Sequence, residues 1–248
     1  IENENNQDVS FEEFEEVEKI TVVVTKEGLL KGYKDHIDID KLKLSQNDIL
    51  DSYKILSNQK LLVFVSSGRV FTINSSDLPS GKSNPKNFIY FIDSNLNDKI
   101  VKLLPYSNNL KCILASSKGK GFIADLVNIK TAQKKGKQLF NLKNSDKLMK
   151  VLIYDKDYLA CVSKDEKMLI IRTKELPTLQ RGGGVQLQKI KQGNLLSDIQ
   201  LFNKSDGISW KTGSLNKVEK QINLWIGKRA QAGKKIPKRF NKNLKFYD

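Results

Sequence analysis

Side chains able to hold phosphates recur in this chain at turns and short connections. Lys118 and Lys120 flank Gly119, Lys130, Lys134, Lys135 and Lys137 crowd one connection, and Lys82 and Lys86 occupy the connection one repeat earlier. Arg69 follows a further turn glycine, Gly68. The corresponding later connection reads Gln180-Arg181-Gly182-Gly183-Gly184 and is followed by Lys189. Such a glycine run would let the backbone approach an anion closely and offer its amides. Cations repeated on equivalent loops suit a polyanion whose backbone is contacted without its bases being read. Arg69, Lys82, Lys86, Lys118, Lys120, Lys134, Lys135, Lys137, Arg181 and Lys189 are the candidate contacts, with Gln180, Gly182, Gly183 and Gly184 as a candidate anion loop.

Catalytic chemistry is hard to assemble from the same sequence. The single histidine, His36, lies beside Asp35 and Asp38 but has no cysteine or second histidine near it to complete a metal site, and reads as a surface residue. Asp38 and Asp40 alternate along a presumed strand and would share a face, as exposed polar residues of most strands do. No P-loop, dinucleotide fingerprint or Gly-x-Ser-x-Gly elbow occurs. The chain is therefore expected to be no enzyme in itself and to need no cofactor.

Charge agrees with a polyanion partner. The 248 residues carry 43 basic and 28 acidic side chains, a net +15. Residues 1–18 contain eight of those acids and no base, so the remainder is more basic still. A field of that sign makes association with nucleic acid steeply salt-dependent. Arginine occurs only five times, a lysine bias that an AT-rich genome also produces. Apolar residues make up 39%, enough for a core. No long apolar span or secretion signal is visible, so a cytoplasmic protein away from membranes is expected. Cys112 and Cys161 each sit within an apolar run and read as buried thiols.

What must position these loops is a repeat. A β-rich run, a turn and a second run recur as Thr21–Lys31 around Gly28, Leu61–Phe71 around Gly68, Lys111–Phe122 around Gly119, Leu159–Leu169 around Glu166 and Gln200–Trp210 around Gly207. Glycine reaches positive φ without a Cβ clash, so the fourth turn, with Glu166, is expected to differ in type. Between the hairpins a polar turn precedes an alternating strand at Asp48, Asp98, Asp146 and Asn194, spaced 50, 48 and 48 residues apart. Five units of about four strands predict an all-β, propeller-like array, closed or nearly so. Residues 1–18 read as an acidic linker and 19–248 as one domain. Leu215, Val218, Ile222 and Trp225 fall at helical spacing and predict a short C-terminal helix before Gly227. Lys228, Arg229, Lys234, Lys235, Lys238, Arg239, Lys242 and Lys245 read as a basic C-terminal tail.

Several of these stretches resemble, in order, the C-terminal domain of the gyrase A and topoisomerase IV A subunits. They are Ile20 to Lys34 with Asp35-His-Ile-Asp, Ser67 to Asn74 leading to Leu78-Pro-Ser-Gly81, Gly119 to Val127, Lys167 to Pro177, and the glycines at 182–184. The resemblance implies a five-bladed β-pinwheel whose blades exchange strands and whose basic edge binds and bends double-stranded DNA. It also implies that the cleaving tyrosine, Mg2+ and ATP belong to upstream A-subunit domains and to a B subunit, in a bacterial enzyme. In gyrase A a box reading Gln-Arg-Arg-Gly-Gly-Lys-Gly supports strong wrapping. Gln180 to Gly184 lacks the second arginine and the lysine, which favours topoisomerase IV and weaker wrapping. Two other readings stand beside this one: a protein-interaction propeller that recognises an acidic partner, and an RNA-binding repeat protein, which would want exposed loop aromatics. Phe64, Phe71, Phe88, Tyr90 and Phe122 instead fall in presumed strand runs.

Overall fold

A computed structural model describes residues 16–247; most of the acidic segment lies outside that range. Repeated hairpins are its framework. β1 (Lys19–Thr25) pairs with β2 (Leu29–Lys34), and β3 (Ile49–Leu56) returns to the other edge of β1. The pattern repeats with β4 (Lys60–Val65), β5 (Arg69–Asn74) and, after the two-residue strand β6 (Lys86–Asn87), β7 (Ile100–Pro105). It repeats again with β8 (Lys111–Ser116), β9 (Lys120–Asp125), β10 (Lys137–Gln138) and β11 (Leu148–Ile153). A fourth round contains β12 (Tyr158–Ser163), β13 (Lys167–Arg172), β14 (Val185–Gln186) and β15 (Leu196–Phe202). The last hairpin is β16 (Ile208–Thr212) with β17 (Leu215–Glu219), followed by β18 (Lys234–Lys235).

The short strands reveal an exchange. β6 does not join the hairpin it follows; it pairs with β2 of the preceding sheet, and β10, β14 and β18 likewise reach back to β5, β9 and β13. The result is four four-stranded sheets, ordered β3-β1-β2-β6, β10-β5-β4-β7, β11-β8-β9-β14 and β15-β12-β13-β18, and a two-stranded sheet of β16 and β17. An all-β pinwheel-like architecture is thus in place.

Strand periodicity explains why the first hairpin strands are apolar along their whole length. In β4, Leu61, Val63 and Val65 face a core shared with the first sheet, while Leu62 and Phe64 face one shared with the third. The strand is buried on both faces, so alternation gives way to a continuous apolar run. β8 and β12 split in the same way, which places Cys112 and Cys161 in adjacent cores. Burial pushes both thiols up to about 12. Each fully buried leucine or phenylalanine contributes roughly 1.5–3 kcal/mol. Four such cores join successive sheets; among the described residues none joins the fifth sheet to the first.

Three expectations are corrected here. The fifth hairpin turns at Gly213, not Gly207: the stretch before Gly207 belongs to β15, which pairs with β12, and β16 pairs forward with β17. The predicted C-terminal helix is absent, because Leu215 and Val218 lie in β17 while Ile222 and Trp225 close a single turn through the Trp225 N–H and Ile222 carbonyl, 3.0 Å apart. Their helical spacing is a coincidence of a strand followed by a turn. Third, the Glu166 turn does not differ in type: Glu166 adopts φ +59, alongside +88, +83 and +80 for Gly28, Gly68 and Gly119, and makes the same three-residue amide bond, to Ser163. In addition, Asp40 lies in a 3-10 turn, Ile39–Lys41, and not in a strand with Asp38.

The aspartates of the repeat support these turns. Asp98 accepts from the Ser67 N–H at 3.2 Å, and Asp146 accepts from the Lys118 N–H at 2.9 Å and from the Ser116 and Ser117 hydroxyls. C-terminal to β17, Phe240 and Phe246 pack with Trp210 and Trp225, and the indole N–H groups of those tryptophans donate to the Arg239 and Lys235 carbonyls.

Candidate nucleic-acid interface

Four crossings carry the chain from one hairpin back to the preceding sheet: residues 75–87, 126–138, 173–186 and 220–235. Each ends in a short strand that pairs beside the turn of the hairpin it covers, with Lys86 opposite Leu30, Lys137 opposite Val70, Val185 opposite Gly121 and Lys234 opposite Met168. The turn carbonyl is held in the same way each time: Gly28 O accepts from Phe88 N, Gly68 O from Leu139 and Phe140 N, Gly119 O from Leu187 N and Glu166 O from Ile236 N. Equivalent crossing residues therefore occupy equivalent places on successive sheets.

One backbone requirement fixes the approach. Gly136, Gly184 and Gly233 each precede the short strand with φ between +63 and +88. A Cβ on Gly136 would lie 2.5 Å from the Val70 carbonyl oxygen, and one on Gly184 would lie 3.0–3.2 Å from the Gly121 backbone. A left-handed, Cβ-free residue lets the crossing lie directly against the hairpin strand.

The candidate cations divide into two groups. Lys82, Lys86, Lys120, Lys134, Lys135, Arg181 and Lys189 are exposed. Lys86 lies with Nζ 4.0 Å from the centre of the Tyr90 ring, itself 70% exposed. Arg69, Lys118 and Lys137 are half-buried and bound to backbone carbonyls: Lys118 Nζ to Asn144 O and Lys137 Nζ to Asn128 O. Arg69 Nε donates to Lys135 O at 3.1 Å, its Nη2 donates to Lys135 O and to Gly136 O, and its Nη1 to Gln138 Oε1 at 3.4 Å. That guanidinium holds the second crossing in place. Among the described residues the ion pairs lie at Lys54–Asp38, Lys102–Asp51, Lys150–Asp198 and Lys167–Asp165, so none neutralises these ten cations.

The glycine run has a packing role that its sequence did not announce. Gly182 N donates to Leu139 O at 3.0 Å and its carbonyl accepts from Asn141 N at 2.8 Å, so this amide is already engaged between crossings two and three. Gly184 is the close-approach residue described above. Gln180 and Arg181 stand exposed at the outer end of the run.

Residues 220–235, read from sequence as helix and tail, form the fourth crossing. Lys228, Lys234 and Lys235 are exposed there, and Arg229 Nη1 donates to the Gln186 carbonyl at 2.9 Å, tying crossing four to crossing three. The signal that would have found it is Gly233, 49 residues after Gly184, itself 48 after Gly136.

The repeat unit is also what known proteins share. A family model described as "DNA gyrase C-terminal domain, beta-propeller" matches residues 111–155 and 157–203, each span running from a hairpin through a crossing to the returning long strand. The DNA topoisomerase 4 A subunit of Rickettsia bellii is 35% identical over 246 residues, covering 97% of this chain and 33% of that protein. The chain belongs to the gyrase A and topoisomerase IV A C-terminal-domain family. It spans about a third of the length of the curated relatives it matches. Within the family, the solved C-terminal domain of ParC from E. coli superposes with a TM-score of 0.77 at 21% identity, covering 90% of this chain and 96% of that one. The gyrase A C-terminal domain gives 0.63 at 19% identity, covering 90% and 80%. These two likenesses speak to the fold.

Proposed function

We propose that this domain binds duplex DNA along its crossings, contacts phosphates without reading bases, and bends the duplex across successive sheets. The observation that carries the reading is that each of the four crossings, which cover successive sheets in the same way, presents exposed, unneutralised cations: Lys82 and Lys86, Lys134 and Lys135, Arg181, then Lys228, Lys234 and Lys235. A duplex presents evenly spaced charge, and a repeat array of point charges matches it at little cost in specificity. Lys118, Lys120, Lys137 and Lys189 add to the field, and Arg69 acts by positioning Lys134 and Lys135.

In this reading the domain belongs to a topoisomerase IV A-type subunit, carries no chemistry of its own, and presents the segment to be transported. The cleaving tyrosine, Mg2+ and ATP lie with the upstream domains and the B subunit, in the bacterial cytoplasm. Engagement of Gly182 within the fold, and the absence of a second arginine beside Arg181, support wrapping weaker than that of a complete gyrase box.

The test is a triple reversal, Lys134→Glu, Lys135→Glu and Arg181→Glu, titrated against several unrelated duplexes over a range of salt. Affinity should fall on all sequences alike, and the slope of log K against log salt should shrink by about 0.9 for each phosphate no longer neutralised. Unchanged affinity sinks the assignment. Equal competition by an acidic protein would turn it toward an acidic protein partner.

A further inference from the structure

The fifth sheet differs from the other four in width, and its two edges differ from each other. The outer edge of β16 is closed. Gln200 accepts from Ser209 N at 2.9 Å and donates to Ser209 O at 2.7 Å, while Lys211 N donates to Phe246 O and Lys211 O accepts from Asn241 Nδ2 at 2.9 Å. Since Ser209 and Lys211 point away from β17, Ile208, Trp210 and Thr212 are the residues bonded to it. Their register partners are Glu219, Lys217 and Leu215, so the N–H and C=O groups of Asn216 and Val218 point outward. Among the described residues nothing pairs with them. Val218 and Leu215 are each 58% exposed. The matching edge of β2, β5, β9 and β13 is covered every time by a short strand.

We infer that β17 pairs antiparallel with β17 of a second copy of this chain, about a two-fold axis through Val218, to form a continuous four-stranded sheet β16-β17-β17-β16. Charge selects both the occupant and the register. A two-fold pairing must place outward residues opposite outward residues, which leaves axes at Lys217, Val218 or Glu219. The first puts Lys217 against Lys217, and the third Glu219 against Glu219. Only the axis at Val218 sets Lys217 opposite Glu219, twice, with Val218 against Val218 and Asn216 against Lys220. Opposite-charge pairs in direct register stabilise a sheet, and like pairs destabilise it. An isolated two-stranded sheet is marginal in water, and an open edge is a template for another strand. The net +15 of each copy opposes association, so the dimer should tighten as salt screens it.

The experiment is sedimentation equilibrium of the 248-residue chain at high salt over a wide concentration range. Val218→Pro removes an outward donor without touching the β16 pairing and should leave a monomer. Lys217→Glu should weaken the dimer about tenfold, and adding Glu219→Lys, which restores opposite charges, should recover it. Cα atoms in a bonded antiparallel pair lie about 5.5 Å apart, within disulfide range. Val218→Cys should therefore oxidise to a covalent dimer, and Asn216→Cys should not. A chain that stays monomeric throughout, a dimer indifferent to Val218→Pro, or a charge swap that fails to restore association overturns the inference. None of these readings depends on DNA binding.

Discussion

In the second crossing, residues 126–138, Gly136 is accompanied by Lys130, Lys134, Lys135 and Lys137, with no acid. In the third, residues 173–186, three consecutive glycines are accompanied by Lys174, Glu175 and Arg181. The two occupy the same place on neighbouring sheets and share the same left-handed glycine before the short strand. They differ in how the remaining residues are held. Crossing two is anchored from below by the Arg69 guanidinium, whereas crossing three is anchored by the Gly182 backbone and clasped from the next repeat by Arg229. One backbone position secures the architecture, which frees the rest of the loop to set the charge presented to a ligand.

That comparison can be broken at the glycines first, where the largest effect is expected. Gly136→Ala forces a left-handed alanine against the Val70 carbonyl and the Phe71 ring, and should cost about 3 kcal/mol. Gly184→Ala meets looser neighbours and should cost about half as much. Urea denaturation of the two variants measures the difference, and equal midpoints would show that the crossings are not packed as described. Next in size is the charge effect. Lys134→Glu with Lys135→Glu should weaken duplex binding by more than tenfold, while Arg181→Glu alone should weaken it only a few-fold. Fluorescence anisotropy at fixed salt decides this, and a stronger effect at Arg181 would return the glycine run to the centre of the interface.

Arg69→Lys sharpens the same contrast, since it keeps the charge and loses the fork of bonds to Lys135 and Gly136. Amide exchange of residues 136–138 should speed up about tenfold, the equivalent of a lost charged hydrogen bond, with residues 184–186 unchanged. The smallest effect is expected at the fourth hairpin turn. Glu166→Gly relieves a left-handed side-chain residue and should stabilise the fold by about 0.5–1 kcal/mol, after the entropy that glycine adds to the unfolded chain. A thermal melt is sufficient to measure it.

The first four hairpins, their turn residues and the 48- to 50-residue period were legible because strand periodicity and turn residues coincide at each of them. Two misreadings arose where they do not. The stretch before Gly207 is the returning strand β15 of the fourth sheet, so Gly207 stands between two sheets, and the true fifth turn, at Gly213, 47 residues after Glu166, falls inside a run whose apolar residues mimic a helical face. The fourth crossing was hidden by its surroundings: Lys228, Arg229, Lys234 and Lys235 run on into four further basic residues and look like the start of a solvated tail unless Gly233 is counted against Gly184. The cations of the candidate interface were legible as residue types. Their division into exposed cations and the carbonyl-bound Arg69, Lys118 and Lys137 was not, because it depends on folded contacts, that of Arg69 reaching a residue 66 positions away.

Strand exchange also bears on the order in which the chain is made. The first sheet begins at Lys19 and is complete only with Asn87, and the fourth begins at Tyr158 and is complete only with Lys235. A nascent chain leaving the ribosome would therefore carry an unfinished sheet at every moment, its outer edge waiting for the crossing of the repeat still being synthesised. Folding trails translation by about one repeat, and the domain seals from its first sheet toward its last.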